Sequence, residues 1–344
     1  MTVALDSIPR FTPAEAAAAA EREFGVCGTP SGLPSERDQN FLLVDAAGRK
    51  FVLKIANTQD HSGLLDFQNE AMRLVAAAVP DCRVPRVQPT RAGSDLGLMR
   101  HPRTGSRHQV RMLSWIEGEV LAKSAQRDIT LWQSLGAGMG KIDAALAGFS
   151  HSAMHRELQW DIRHAGLARV HLGLLSPAQR RLLLPVFSDW ERVDWASLRH
   201  TVIHGDANDY NVIVEGGRMA GLLDFGDMVH SATVCDLAIA LAYAMLEERE
   251  PLSIAATVVG SYQLHHRLTE PEQQVLLTLI RSRLAMSVCY SAHNRRRNPG
   301  DPYQVVTEAS AWNLLIKLQS APAQQACESI RAACAVADAV QPPQ

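Results

Sequence analysis

One segment constrains this chain more than any other: His204-Gly205-Asp206-Ala207-Asn208-Asp209-Tyr210-Asn211, followed thirteen residues after Asn211 by Asp224-Phe225-Gly226. Short apolar runs frame both parts, Val202-Ile203 ahead and Asn211 to Val214 and Met219 to Leu223 around a Gly216-Gly217 turn. The motif therefore belongs to loops of a small β island. An Asp five residues before an Asn on such a loop can turn its carboxylate toward a substrate hydroxyl while the Asn amide oxygen reaches a metal. A further Asp at a strand end supplies the hard anionic oxygen that Mg2+ takes beside phosphate oxygens. Either tripeptide alone is ordinary turn chemistry; the joint order and spacing is what points to Asp206, Asn211 and Asp224 as a set.

The rest of the chain reads as two kinds of structure. Thr12-Pro13-Ala14-Glu15 combines an N-cap, a first-turn Pro and a capping-box acid, and predicts a helix ending near Phe24-Gly25. The Gly-, Pro- and Ser-rich segment 28–35 reads as a loop. Asn40 to Val44 and Lys50 to Ile55 read as a hairpin, Val84 to Val87 and Gln109 to Ile116 as further strands, and Leu64, Phe67, Ala71, Leu74 and Ala78 as one face of a helix between them. From about Gly118 the pattern turns helical, with one amphipathic helix through Leu131, Leu135, Ile142 and Leu146 and another capped by Ser176-Pro177-Ala178-Gln179 and running to about Val193. A strand-rich lobe over 1–115, with a five-stranded sheet, and a helical lobe over 116–344 make the cleft between them the expected ligand site.

Composition narrows the class. Lys+Arg total 34 against 36 Asp+Glu, a formal charge of -2, which excludes binding of nucleic acid by bulk electrostatics. With 47% hydrophobic and 20% charged residues the chain has the makings of a core. The six cysteines are scattered with no C-x-x-C pair, no basic segment precedes an apolar start, and the longest comparable later run, Leu237 to Leu246, has only ten residues, so a cytoplasmic protein with reduced thiols and no membrane partner is expected.

On Lys54, the loop from His204 to Asn211, Asp224-Phe225-Gly226 and Asp236 at the start of the next helix, the chain resembles the aminoglycoside phosphotransferase and choline kinase superfamily, small-molecule relatives of the protein kinases. Within it, the strings 33–41 and 203–214 look most like the hydroxylysine kinase branch. The resemblance implies an α+β, protein-kinase-like two-lobe fold and transfer of the γ-phosphoryl of ATP or GTP, with Mg2+, to a hydroxyl of an amino-bearing metabolite. Hydroxylysine-like acceptors stand first, with homoserine, choline, ethanolamine and aminoglycosides as alternatives. It makes Asp206 the catalytic base or hydroxyl-orienting residue and Asn211 and Asp224 the metal ligands.

The same resemblance makes Lys54 a nucleotide-phosphate anchor, paired with Glu70 sixteen residues on or with Asp66 in its place. No G-x-G-x-x-G is present; the amides and the Ser31 or Ser35 hydroxyls of the 31–38 loop are the candidates for phosphate contact, with Glu36 and Asp38 opposing it unless turned away. Backbone groups of Ser114 and Ile116, by the inter-lobe linker, are the candidates for the purine edge. His204 reads as structural, Asp236 as a brace of the catalytic loop or a helix-start acid favoured by the dipole, and Asp227 as a candidate for a substrate ammonium or for tuning the metal. Arg295-Arg296-Arg297, with Asn298 to Asp301, read as exposed loop charge or a carboxylate grip. Two rivals remain: a catalytically silent nucleotide-binding module, opposed by the intact Lys54, Asp206, Asn211 and Asp224, and a protein kinase, opposed by the passage of Asp224-Phe225-Gly226 into the next helix without an A-P-E segment.

Overall fold

The computed structural model describes residues 8–35, 37–297, 307–320 and 323–340. Glu36 and Asn298 to Asp301, named above, lie outside them. The chain divides into two compact units: Met1–Ala77 with Arg83–Glu117 and His151–Ala153, and Ala78–Cys82 with Gly118–Ser150 and Met154–Gln344. All six cysteines are free thiols.

In the first unit, α1 (Pro13–Ala19) starts on the expected capping box: the Thr12 hydroxyl accepts from Glu15 N–H at 3.2 Å, and the Glu15 carboxylate accepts from Thr12 N–H at 2.7 Å. A π-helical turn, Ala20–Phe24, closes at Gly25. Then follow β1 (Gly28–Leu33), β2 (Gln39–Asp45), β3 (Lys50–Ile55), α2 (Ser62–Ala78), β4 (Val87–Gln88), β5 (Gly97–Arg100) and β6 (Arg107–Ser114). They form one antiparallel sheet in the order β1-β2-β3-β6-β4, with β5 also on β6.

The sheet thus has six strands where five were expected. The segment read as a loop is strand β1, paired with β2 from Gly28↔Asp45 to Leu33↔Asn40. Its Gly and Pro content is tolerated because it is an edge strand, where one side of the backbone needs no partner. One sheet face buries Phe41, Leu43, Leu53, Ile55, Val110 and Met112 with α1. On the alternate positions, Lys54 of β3 stands in register with Asn40 of β2 and Arg111 of β6, and all three are buried. Arg111 donates to Gln68 Oε1 and Asn69 Oδ1 (2.9 Å) of α2, which fixes that helix to the polar face.

The second unit opens with β7 (Glu119–Val120) and α3 (Ile129–Leu146), the latter capped by Asp128 on Thr130 and Leu131 N–H. A 3-10 segment, Ile162–Leu174, leads to α4 (Pro177–Glu191) with its capping box of Ser176 and Gln179. Next come β8 (His200–Ile203), β9 (Val212–Glu215), β10 (Arg218–Leu222), β11 (Val229–Ala232), α5 (Val234–Ala244), α6 (Pro251–Gln263), α7 (Glu270–Arg297), α8 (Glu308–Ser320) and α9 (Ala323–Val340). Strand β9 lies between β10 and β7, and β11 pairs with β8.

Three expectations are corrected. Asp224-Phe225-Gly226 does not pass directly into α5, since a 3-10 turn, Phe225–Asp227, and strand β11 come between. Arg295, Arg296 and Arg297 are not in a loop but form the last turn of α7, where basic side chains suit the helix dipole, and Arg295 pairs with Glu308. The apolar run within Leu237–Leu246 is not the longest of its kind. Helix α7 holds an 18-residue window apolar enough to cross a membrane, yet 83% of that window is buried within the protein.

Every residue of α5 is buried, so it is the central helix of this unit, with α3, α6 and α7 packed on it. Helices α3 and α6 approach closely because α3 carries Gly136 and Gly140 at the crossing. A Cβ there would come within 2.1 Å of Val258 O and 2.7 Å of Tyr262 O. This approach brings Tyr262 onto Asp143.

Candidate active site

The catalytic-loop candidates all lie in the second unit. Strand β8 delivers the chain at His204, whose N–H donates to Asp236 Oδ2 at 3.0 Å; Gly205 N–H donates to Oδ1 at 2.8 Å. Asp236 is fully buried in the first turn of α5, so both carboxylate oxygens brace the loop from below. Gly205 must be glycine: its φ is +80°, and a Cβ would fall 2.4 Å from Asp227 O.

His204 Nε2 bonds the Leu223 carbonyl at 2.9 Å and Nδ1 faces Asp206 N–H at 3.3 Å. With Nε2–H donating and Nδ1 accepting, the ring is neutral, and burial lowers its pKa. It joins the Asp206 loop to the Asp224 loop and stacks edge-on against Phe225 at 4.8 Å, a structural role.

Asn208 and Asn211 organise Asp206. Asn208 Oδ1 accepts from Tyr210 N–H (2.8 Å) and Asn211 N–H (3.1 Å), while its Nδ2 donates to Asp206 Oδ2 at 3.0 Å. Asn211 Nδ2 donates to the Asp206 carbonyl (2.8 Å) and to Oδ2 (2.9 Å). With its amide nitrogen so committed, Asn211 has its carbonyl oxygen left as a ligand. Leu223 N–H bonds the Asn211 main-chain carbonyl at 2.8 Å, leaving the side-chain Oδ1 untouched, and joins the Asn211 strand to the one ending at Asp224.

Asp224 is exposed and sits at φ 54°, a left-handed conformation that non-glycine residues adopt at a cost. Its Oδ1 accepts from Gly226 N–H at 3.3 Å. An amide oxygen and a carboxylate are hard donors, the set that fits Mg2+ beside phosphate oxygens.

Burial pushes the Asp206 carboxyl up to about 7; Arg283 opposes the shift, Asp227 and Asp224 add to it, and the Asn208 hydrogen bond opposes it. Some 20% of this side chain remains accessible, enough for a small hydroxyl to reach it. A divalent cation held by Asn211 and Asp224 would favour the ionised form.

The first-unit candidates are distributed as follows. Lys54 is buried on β3 as described. Glu70 is exposed on α2, and its carboxylate lies with Asp66 and His151, their ligand atoms within 4.8 Å of one another. The buried positions of that helical turn are Phe67, Gln68, Asn69 and Ala71, and Glu70 is not among them. Ser35 is exposed just beyond β1. Ser114 donates its N–H to the Arg86 carbonyl (2.8 Å) and accepts Arg86 N–H on its hydroxyl (2.9 Å), so that amide is held by the sheet and not free for a purine. Ile116 is buried.

Comparison with known proteins decides the family, since the model of the phosphotransferase enzyme family matches residues 30–271. This chain is a member of that family. Among curated proteins, hydroxylysine kinase of Mus musculus is 30% identical over 339 residues, covering 90% of each chain, and that of Bos taurus is 27% identical, covering 89% of each. Among solved structures, an amicoumacin kinase in complex with AMP-PNP, Ca2+ and Ami matches with a TM-score of 0.68 at 14% identity, covering 91% of this chain and 95% of that one. A microcompartment-associated aminopropanol kinase matches at 0.61 and 14%, covering 93% and 94%. The kinase-like fold and the assignment as a small-molecule phosphotransferase acting on a hydroxyl group follow.

For such a phosphotransferase, two groups around Asp206 were missed by sequence reasoning. Arg283 of α7 donates to Asp206 Oδ1 at 2.7 Å. Asp143 of α3 is fully buried and accepts from the Tyr262 hydroxyl at 2.6 Å, and the charge of Asp236 helps to raise its carboxyl. Arg283 was detectable in principle: Leu276, Ile280, Arg283, Ser287 and Tyr290 recur at helical spacing, which places the arginine on a buried face.

Proposed function

We propose that this phosphotransferase moves the γ-phosphoryl of ATP or GTP, with Mg2+, to the side-chain hydroxyl of a hydroxylysine-like amino acid, in the cytoplasm. Asp206 orients the acceptor hydroxyl and takes its proton, Asn211 and Asp224 hold the metal, and Lys54 binds nucleotide phosphate. The bound metal would supply positive charge to the phosphate oxygens, where charge spreads in a loose transition state. What this chain's own loop contributes is alignment. The reading rests on one observation: Asn211 Nδ2 is bonded both to the carbonyl and to Oδ2 of Asp206, so base and metal-ligand candidates form one rigid piece. Similarity to hydroxylysine kinases over nine-tenths of the chain supports the acceptor class.

The test is release of nucleoside diphosphate from ATP and from GTP over hydroxylysine, homoserine, ethanolamine, choline and an aminoglycoside. Turnover of hydroxylysine above the other rows is expected. A different productive row reassigns the acceptor, and nucleotide binding with no turnover in any row rejects the enzyme reading in favour of a silent module.

A further inference from the structure

Asp206 is held by more than its own loop. Oδ2 already accepts two hydrogen bonds, from Asn208 Nδ2 at 3.0 Å and Asn211 Nδ2 at 2.9 Å. Oδ1 accepts one, from Arg283 Nη2 at 2.7 Å. A carboxylate oxygen has room for about two such bonds, so the open position on this carboxylate is on Oδ1.

Arg283 is itself immobilised. Its side chain is 3% accessible, and Nη1 donates to the Trp160 carbonyl at 3.0 Å. The guanidinium carbon lies 4.7 Å from the Trp160 ring centroid and 5.5 Å from that of Tyr243. Two directed hydrogen bonds and two ring faces fix the plane of the guanidinium, a geometry that a lysine ammonium does not reproduce.

We infer that Arg283 is a positioning residue for phosphoryl transfer: it fixes the Asp206 carboxylate so that Oδ1 receives the acceptor hydroxyl. The inference rests on the kinase reading above. In the step it serves, the acceptor O–H bond breaks, its proton passes to Oδ1, the oxygen forms the new bond to the γ-phosphorus and the nucleoside diphosphate leaves. Arg283 donates to the receiving oxygen throughout and takes no proton. A buried arginine with no such task would be a poor choice at this place, since apolar residues of similar volume commonly stabilise as well as a buried ion pair does.

The test uses Arg283→Lys and Arg283→Met, each alone and combined with Asp206→Asn, read as kcat, nucleotide KM and urea unfolding midpoint with the best acceptor of the screen. In the Lys variant, kcat falls by about tenfold or more with nucleotide KM within about threefold, a split that a general loss of fold would not give. The Met variant falls further; should it not fold, the Lys variant alone decides. In the Asp206→Asn background the Lys change alters the residual rate by less than about twofold, because Arg283 acts through that carboxylate. A Lys variant with wild-type kcat, a loss carried by nucleotide KM, or full additivity with Asp206→Asn overturns the inference while leaving the kinase reading intact. Absence of turnover by the wild-type chain overturns both.

Discussion

Replacing Asp143 by Asn separates the proton held beneath the catalytic loop from everything else in the fold. Burial raises the Asp143 carboxyl well above the ordinary aspartate value, and the neighbouring Asp236 raises it further. Asp236 uses its two oxygens to receive the His204 and Gly205 N–H groups, and Asp143 accepts from the Tyr262 hydroxyl on Oδ2, so the raised Asp143 carboxyl keeps its proton above the ordinary aspartate range. Between the unfolded value near about 3.9 and the raised folded value, the folded chain therefore holds one proton more than the unfolded chain.

The sign follows directly. This contribution to stability is complete below about pH 4 and declines as pH rises, by about 1.4 kcal/mol per unit until the folded value is reached. An Asn at 143 keeps an acceptor for the Tyr262 hydroxyl but has no proton to lose. Stability of the Asn variant minus that of the wild type should thus grow as pH rises above 5, at no more than about 1.4 kcal/mol per pH unit, whatever its offset at pH 5. Urea unfolding of both proteins at pH 5, 6 and 7, followed by tryptophan fluorescence, measures it. A difference that stays constant over this range would show Asp143 ionised in the folded state and refute the raised carboxyl.

Three further outcomes are expected. Asp206→Asn lowers kcat by about 10²–10⁴-fold with little change in nucleotide KM, and near-normal turnover would remove Asp206 from the proton-accepting role. Asp224→Ala abolishes saturation of the rate by Mg2+, read from initial rates over a magnesium titration; an unchanged midpoint would take Asp224 out of the metal site. Gly205→Ala destabilises by roughly 3 kcal/mol, because a Cβ there strains the backbone and meets the Asp227 carbonyl; a urea midpoint equal to wild type would contradict that geometry.

The catalytic loop was legible in the sequence because its chemistry is local: Asp206, Asn208 and Asn211 bond one another within five residues, so spacing alone encodes the contact. The caps at Thr12 and Ser176 were legible for the same reason. Strand β1 was not, since edge pairing imposes little on composition and Pro30 reads as a loop former until its partner Leu43 is known. Arg283 and Asp143 were hidden for a different cause. Each acts across a helix packing contact, with 77 residues between Arg283 and Asp206 and 119 between Asp143 and Tyr262, and no local pattern records such a meeting.

The length of α7 bears on where the working unit of this enzyme ends. The family match stops at residue 271, one residue past the start of that helix, and a fragment trimmed there would look like a whole domain. It would nevertheless lack the guanidinium on Asp206 and the Tyr290 hydroxyl on the Gln159 carbonyl, and would uncover the sides of α4 and α5 that α7 protects. The family match is thus shorter than the reach of the hydrogen bonds around Asp206, which extend into α7.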